Sequence, residues 1–181
     1  MAAMLRHVFS AALLAALALT APCSIAQATS AEPKVLNATE AGAILPPSVY
    51  FRGQSASIQA RNSAGVRFSA DALLLATLVD TSGYSSAVQQ KYQAYLITES
   101  AIEIGGHHVS PGAYGFGFIA NDTFLVMDIG GHDLFTAKST RDAELRRPMP
   151  LQILASSSGH AYRLYTGRNF IEFALAPPAA Q

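Results

Sequence analysis

Residues 113–120 read Ala113-Tyr114-Gly115-Phe116-Gly117-Phe118-Ile119-Ala120, an alternation of aromatic residues with glycines. In an extended strand, Tyr114, Phe116 and Phe118 share one face, and the two glycines leave the other face bare. A bare strand face allows another part of the protein to come unusually close. We therefore expect an aromatic ring, a backbone segment or a ligand to lie against Gly115 and Gly117.

Turn signals separate this segment from further strand candidates on both sides. Gly105-Gly106 and Pro111-Gly112 precede it, and Asn121-Asp122 and Gly130-Gly131 follow it. Short apolar segments between turns, at intervals of about 8–12 residues, are typical of β-sandwiches and small barrels. The pattern predicts strands over residues 49–52, 57–61, 66–68, 72–79, 97–104, 113–120, 123–129, 133–135, 151–155, 161–165 and 170–175.

Local signals add detail to this all-β pattern. Asn62-Ser63-Ala64-Gly65 favours a hairpin turn, and the continuous apolar run 72–79 favours a buried strand. A capping-box spacing from Ser86 predicts a helix over 86–95, and a second cap pattern predicts a helical turn or two over 139–147. We predict an all-β, antiparallel β-sandwich or barrel-like fold with one or two short helices.

The first 28 residues have the features of a secretory signal peptide. Arg6 precedes an apolar run over 8–19, and Ala26-Gln27-Ala28 supplies a small-x-small cleavage pattern. That run is shorter than the ~20 apolar residues that a membrane-spanning helix needs. An uncleaved anchor and a lipid-modified Cys23 are the alternatives, and Pro22 argues against the second. We expect a secreted or periplasmic protein that does not span the membrane after cleavage.

Composition defines the rest of the chain. Residues 29–47 are expected to form a flexible N-terminal arm, 48–175 a single β-sandwich domain, and 176–181 a disordered tail. The chain has one cysteine, Cys23, which lies in the leader, so disulfides and thiolate sites are excluded from the mature protein. Lys plus Arg number 12 and Asp plus Glu number 12, a balance that argues against nucleic-acid binding.

The segment 102–116, with Gly105-Gly106, Pro111-Gly112 and Tyr114, resembles a pattern in secreted bacterial all-β proteins of unknown function. Residues 78–84 and 90–93 are similar to the same group, so the resemblance covers about half of the mature chain. It implies a secreted β-sandwich and assigns no catalytic residue. The chain departs from the pattern by having Gly-Gly instead of Asn-Gly before its histidine pair.

Histidines at two similar Gly-Gly turns are the first candidates for chemistry. His107 and His108 follow Gly105-Gly106, while His132 and Asp133 follow Gly130-Gly131. If the two turns met, these imidazole and carboxylate ligands would suit Zn or Cu. Adjacent residues of a regular strand point to opposite faces, so His107 and His108 cannot both reach one ion. Solvent-exposed turn histidines are the alternative, and a duplicated half-domain is a further explanation of the similarity.

Other candidates are less specific. Tyr114 and Phe116 are candidate ligand-binding residues for a sugar or lipid, with core packing as the alternative. Glu99 and Glu103 can share a strand face, as a pair of hydrolytic carboxylates would. The sequence contains neither a nucleophile elbow nor an H-E-x-x-H pair.

Taken together, these features favour an exported, soluble, non-enzymatic binding or structural module of the cell envelope. Its expected partner is a small molecule, a glycan or an envelope protein, with no cofactor. The alternative is a metal-binding or metal-dependent envelope protein that uses the four residues at the Gly-Gly-His turns. A lipid carrier is a third hypothesis, and the oligomeric state is left open.

Overall fold

Two stacked β-sheets and two short helices make up the part of the chain that the computed structural model describes, residues 32–159 and 161–177. The predicted leader, residue 160 and the end of the predicted tail lie outside that part. The helices are α1 (Ala38–Ile44) and α2 (Ser86–Gln89). The strands are β1 (Lys34–Leu36), β2 (Ser48–Phe51), β3 (Gln54–Ser69), β4 (Ala72–Val79), β5 (Ala94–Thr98), β6 (Ile102–Ile104), β7 (His107–Val109), β8 (Gly112–Ile119), β9 (Thr123–Met127), β10 (Asp133–Lys138), β11 (Thr140–Arg141), β12 (Met149–Ala155), β13 (Tyr162–Gly167) and β14 (Asn169–Leu175).

Every strand pair is antiparallel. The first sheet has the order β1-β3-β4-β5-β8-β9-β10, with β2 paired to β3. The second has the order β12-β13-β14-β6-β7, with β11 paired to β14. Within the described residues both sheets stay open, so the predicted all-β sandwich is confirmed and the barrel-like alternative is not. Neither helix of the described residues is long and apolar enough to cross a membrane.

The aromatic face of β8 packs between the two sheets. Phe116 is 1% exposed, and Tyr114 and Phe118 pack against the same cluster. Strands β6, β12, β13 and β14 supply the opposite side of this core through Ile104, Ile153, Leu164, Ile171 and Phe173. The predicted grouping of the three aromatic residues on one strand face is confirmed.

A third layer, the outer layer, covers the outer face of the first sheet and is formed by α1, β2 and the segment 84–92. It explains why every residue of β4 except Thr77 is apolar. Leu74 joins the core between the sheets, whereas Leu73 and Leu75 pack outward in the cluster that contains Ala41 of α1. A strand that is buried on both faces has apolar residues at nearly every position. The exception here, Thr77, accepts a hydrogen bond from the Ser63 hydroxyl group. The predicted buried strand over 72–79 is therefore confirmed.

The outer layer reaches the sheet closely over the two glycines of β8. A Cβ atom added to Gly115 would lie 2.6 Å from the Phe51 ring and 3.0 Å from the Tyr92 ring. A Cβ atom on Gly117 would collide with the backbone carbonyl oxygen of Lys91. An aromatic ring and a backbone segment thus occupy the bare face, as two of the three predicted possibilities require.

The predicted hairpin turn at residues 62–65 is wrong. These residues lie inside β3. The N-terminal end of this strand pairs with β2, and its C-terminal part pairs with β4 from Ser63 to Ser69. The hairpin instead turns at Arg52 and Gly53, which have φ angles of 49° and 83°. Strand β3 has three strand partners, β1, β2 and β4, and this pairing outweighs a local turn preference. The register shift between Ile58 and Ser63 absorbs the bend in the strand.

Two other segments also differ from expectation. Within the predicted flexible arm, residues 34–36 pair with β3 and residues 38–44 form α1, which has a capping box between Asn37 and Glu40. The predicted helix over 86–95 is reduced to α2, because from Ala94 the chain pairs with β4 and β8. The predicted strand over 97–104 is interrupted after Thr98 and resumes as β6 in the other sheet.

The predicted helical turn over 139–147 is wrong as well. Ser139, its expected cap, is 3% exposed at the crossover between the sheets, and β11 follows directly. The rest of the segment is a loop held by Arg168, whose Nη1 donates to the carbonyl oxygens of Asp142, Ala143 and Leu145. Hydrogen bonds from Arg168, which is distant in the sequence, thus take the place of the capping interactions of a helix.

Substitution of Gly117 by Ala tests the close approach at β8. Because the new methyl group would collide with the Lys91 carbonyl, we expect the free energy of unfolding to fall by about 1–3 kcal/mol or more. Gly83→Ala is the matched control, since nothing lies within 4 Å of a Cβ atom there, and its effect should stay within about 0.5 kcal/mol. Urea denaturation measures both, and equal stabilities would contradict the packing described.

Candidate ligand-binding cleft

A cleft of about 180 Å³ opens where the outer layer ends, between the β2–β3 turn, α2 and the β9–β10 turn. Its floor is apolar and its rim carries two cations and a hydroxyl group. The lining residues are Phe51, Arg52, Ser85, Ala87, Val88, Lys91, Met127 and Gly131.

An aromatic cluster fixes the floor. The rings of Phe51 and Tyr92 stack with centroids 3.8 Å apart, and the Tyr84 ring meets Tyr92 edge-on at 5.4 Å. The Tyr84 hydroxyl donates to the Phe51 carbonyl oxygen over 2.9 Å. Burial raises the pKa of the Tyr84 and Tyr92 hydroxyl groups, so both stay protonated at neutral pH. The floor is therefore held from below by side chains that also cover β8.

The two turns at the rim are joined to each other. The Arg52 backbone N–H donates to the carbonyl oxygen of Ile129 over 2.8 Å. Gly131, with a φ angle of 83°, lies under the Arg52 side chain, and any Cβ atom there would collide with Cγ and Cδ of that arginine. The glycine thus provides the path along which the Arg52 side chain runs.

The two cations of the rim differ in their pairing. The Lys91 ammonium lies 2.6 Å from the Asp133 carboxylate, and both side chains are about half exposed. No carboxylate among the described residues comes within ion-pair distance of Arg52. An exposed pair such as Lys91–Asp133 is weak, so Lys91 can exchange its partner while Arg52 has none to lose.

The second Gly-Gly-His turn lies beside this cleft. The Asp128 carboxylate accepts the His132 backbone N–H over 2.9 Å and contacts Nδ1 of the same histidine at 2.9 Å. The hydrogen bond from the His132 backbone N–H is the largest cause that lowers the pKa of Asp128, and the hydrogen bond to the His132 side chain is the next. Asp133 pairs with Lys91, so both predicted ligands of this turn are engaged with other side chains.

The residues of the first Gly-Gly-His turn have different partners. His107 stacks on the Phe135 ring at a centroid distance of 4.2 Å, and His108 Nδ1 lies 2.9 Å from the Glu103 carboxylate. The two histidines face opposite sides of β7, as predicted for adjacent strand residues.

A bulge in β10 separates the two sets of predicted ligands. Asp133 pairs with Met127, whose side chain belongs to the outer cluster, whereas Phe135 pairs with Val126 of the core between the sheets. Asp133 therefore lies on the outer face of β10, whereas His107 packs on Phe135, which is on the inner face. Among the described residues no three metal-ligating side chains come together. The metal hypothesis stays a prediction.

The predicted ligand-binding aromatic residues lie in the sandwich core. Phe116 is buried between the sheets, and the Tyr114 hydroxyl donates to the Ser110 carbonyl oxygen over 2.9 Å. Core packing, the alternative weighed for both residues, accounts for these positions.

A larger groove of about 600 Å³ crosses the outer face of the second sheet along β14. Its charged groups already have partners in the fold: Glu103 contacts His108, Glu172 contacts Arg163, and Lys138 lies 3.5 Å from Asp122. Arg163 also covers the Phe170 ring at 4.7 Å, which leaves no open aromatic platform there. Of these two sites, the cleft at Arg52 is the better candidate because no carboxylate in residues 32–159 or 161–177 pairs with its arginine.

Comparison with protein-family models, with curated proteins and with solved structures finds no significant match to this chain. The functional argument therefore rests on the residues and geometry of the cleft.

The principal residues of the cleft could not be identified in the sequence. Arg52 stands in a segment that predicts a strand end, and Lys91 in one that predicts a helix. Only the fold brings residues 52, 91 and 131 to one rim. The single available signal was the bare face of β8, which predicts a close neighbour without naming it.

The lowered pKa of Asp128 predicts a pH effect on stability. Its folded pKa lies below its unfolded value, so its stabilising contribution is present near neutral pH and is lost as pH falls through the lowered pKa. The difference in unfolding free energy between wild type and Asp128→Asn should therefore shrink from about pH 7 to about pH 3. Urea denaturation at a series of pH values measures it.

His132→Ala is the companion variant for this measurement. It keeps the backbone N–H bond to Asp128, which is the largest cause of the shift, so part of the pH dependence should survive. A difference between wild type and Asp128→Asn that is constant with pH would show that the turn does not depend on the charged carboxylate.

Proposed function

We propose that this chain is an exported β-sandwich module that binds a small ligand in the cleft at Arg52. The observation that carries the proposal is a guanidinium group at the rim of an apolar cleft, with no carboxylate partner in the described part of the chain. Binding pockets combine an apolar lining with a few polar groups that fix the orientation of the ligand. Ser85, Lys91 and Arg52 are groups of that kind.

Rigid construction of the cleft supports a binding role. Its floor rests on the stacked Phe51 and Tyr92 rings, and its two turns are linked by the bond from Arg52 to Ile129. A site that is already formed spends less free energy on ordering when a ligand arrives. For the metal-binding alternative, each Gly-Gly-His turn offers contacts between only two residues. The described residues contain no preformed cluster of three metal-ligating side chains.

Export is the second part of the proposal, and the composition of residues 1–28 supports it. Expression of the full chain in a bacterium, followed by fractionation and N-terminal sequencing, tests it. We expect a soluble envelope protein that begins near Thr29. An intact N-terminus in the membrane fraction would support the uncleaved anchor instead, and a cytoplasmic product would refute export.

Filling the cleft tests the binding role. Met127 lines the cleft and Met149 lies on β12 of the other sheet, so their ¹³C-labelled methyl groups report on the cleft and on a distant site. In a screen of small soluble compounds, we expect binders to shift the Met127 signal and leave the Met149 signal in place. Ala87→Trp should abolish these shifts by occupying the cleft.

Ala143→Trp is the matched control, because Ala143 is exposed on the loop held by Arg168, away from the cleft. It should bind as wild type does. Compounds that bind without moving the Met127 signal, or that still move it in Ala87→Trp, would place the ligand site elsewhere, with the groove along β14 as the next candidate. A glycan or an envelope protein that binds outside the cleft would likewise leave the Met127 signal in place.

A further inference from the structure

We infer that the ligand of this cleft is a small carboxylate with a short apolar arm. This inference rests on the proposed function and specifies the chemistry of the same site. Two cations, Arg52 and Lys91, stand at the rim, and one carboxylate, Asp133, balances one of them. An arriving carboxylate supplies the missing negative charge.

Arg52 is suited to a carboxylate in particular. Its guanidinium group is planar and offers parallel N–H donors, which match the two oxygens of a carboxylate. Its side chain is held along the Gly131 backbone, where any Cβ atom would collide with it. Less side-chain freedom is then lost when the ion pair forms.

The floor defines the rest of the ligand. Phe51, Val88 and Met127 present apolar surface next to the cations. Methionine side chains adapt to differently shaped apolar groups. The volume of about 180 Å³ is below the range of about 300–1,000 Å³ for drug-sized ligands. These properties indicate a short alkyl chain or a single ring attached to the carboxylate.

Titration with four simple probes, followed through the Met127 methyl signal, tests this inference. Hexanoate carries both the charge and the arm, acetate lacks the arm, hexan-1-ol lacks the charge, and hexylamine reverses it. We expect hexanoate to bind most tightly, and its affinity to fall with added salt, because the attraction is electrostatic at an exposed rim.

Substitution of Arg52 is the decisive variant. A hydrogen bond to a charged group contributes enough that Arg52→Ala should weaken hexanoate binding about ten- to a hundredfold. Arg52→Gly is a second variant that removes the charge and keeps the backbone conformation, because the φ angle of 49° at this position suits glycine. Arg146→Ala, which removes the same charge from an exposed loop position outside the cleft, should bind hexanoate as wild type does.

The outcomes separate this inference from the proposed function. Equal binding of hexanoate and hexan-1-ol at Met127, or tighter binding of hexylamine, overturns the carboxylate while leaving the cleft as the binding site. Acetate as tight as hexanoate overturns the apolar arm. Hexanoate that leaves the Met127 signal in place, while other compounds move it, overturns the inference alone. If no compound moves that signal, both proposals fail.

Discussion

The packing of an aromatic pair and a backbone carbonyl group against two glycines of β8 is the constraint on which the outer layer depends. Phe51 and Tyr92 stack over Gly115, and the Lys91 carbonyl oxygen lies over Gly117. Side chains on that face would hold the outer layer away from the sheet. Because the glycines have no side chains, the aromatic pair can be buried against the sheet. Burial of apolar surface is the dominant favourable contribution to folding.

The cleft is a consequence of the same packing. Phe51 precedes Arg52 and Tyr92 follows Lys91, so placing the two rings on β8 places both cations at one rim. The arrangement is partly unfavourable, since the buried Tyr92 hydroxyl finds no hydrogen-bond partner among the residues that the structure describes. A buried hydroxyl without a partner costs about 1–3 kcal/mol. The Tyr92 ring stacks on Phe51, and Phe51 also lines the cleft.

Sequence patterns predicted those elements whose side chains follow a strand period. The alternation in β8 and the apolar run of β4 were interpreted correctly, because burial on one or two faces leaves a direct mark on composition. Patterns that depend on a few polar residues were misleading. The turn predicted at 62–65 does not form because these residues belong to β3, which pairs with β1, β2 and β4. The cap predicted at Ser139 does not form because this residue is buried at the crossover between the sheets. The capping box at Asn37 was missed, although its Asn-x-x-Glu spacing is visible in the sequence.

The two Gly-Gly-His motifs show why similar sequences did not predict one site. At the first, Gly105 and Gly106 both have positive φ angles and close a two-residue hairpin that pairs Ile104 with His107. At the second, the Asp128 backbone N–H reaches the His132 carbonyl oxygen, which closes a longer turn. The acidic residues of the two motifs also have different partners. The short Asp128 side chain accepts the His132 backbone N–H, whereas the longer Glu103 side chain extends across the strand pair to His108.

The first turn lies in the second sheet and the second turn in the first sheet, so their similarity reflects turn chemistry. The position of the candidate site follows from the covering of β8, and the motif itself does not determine it.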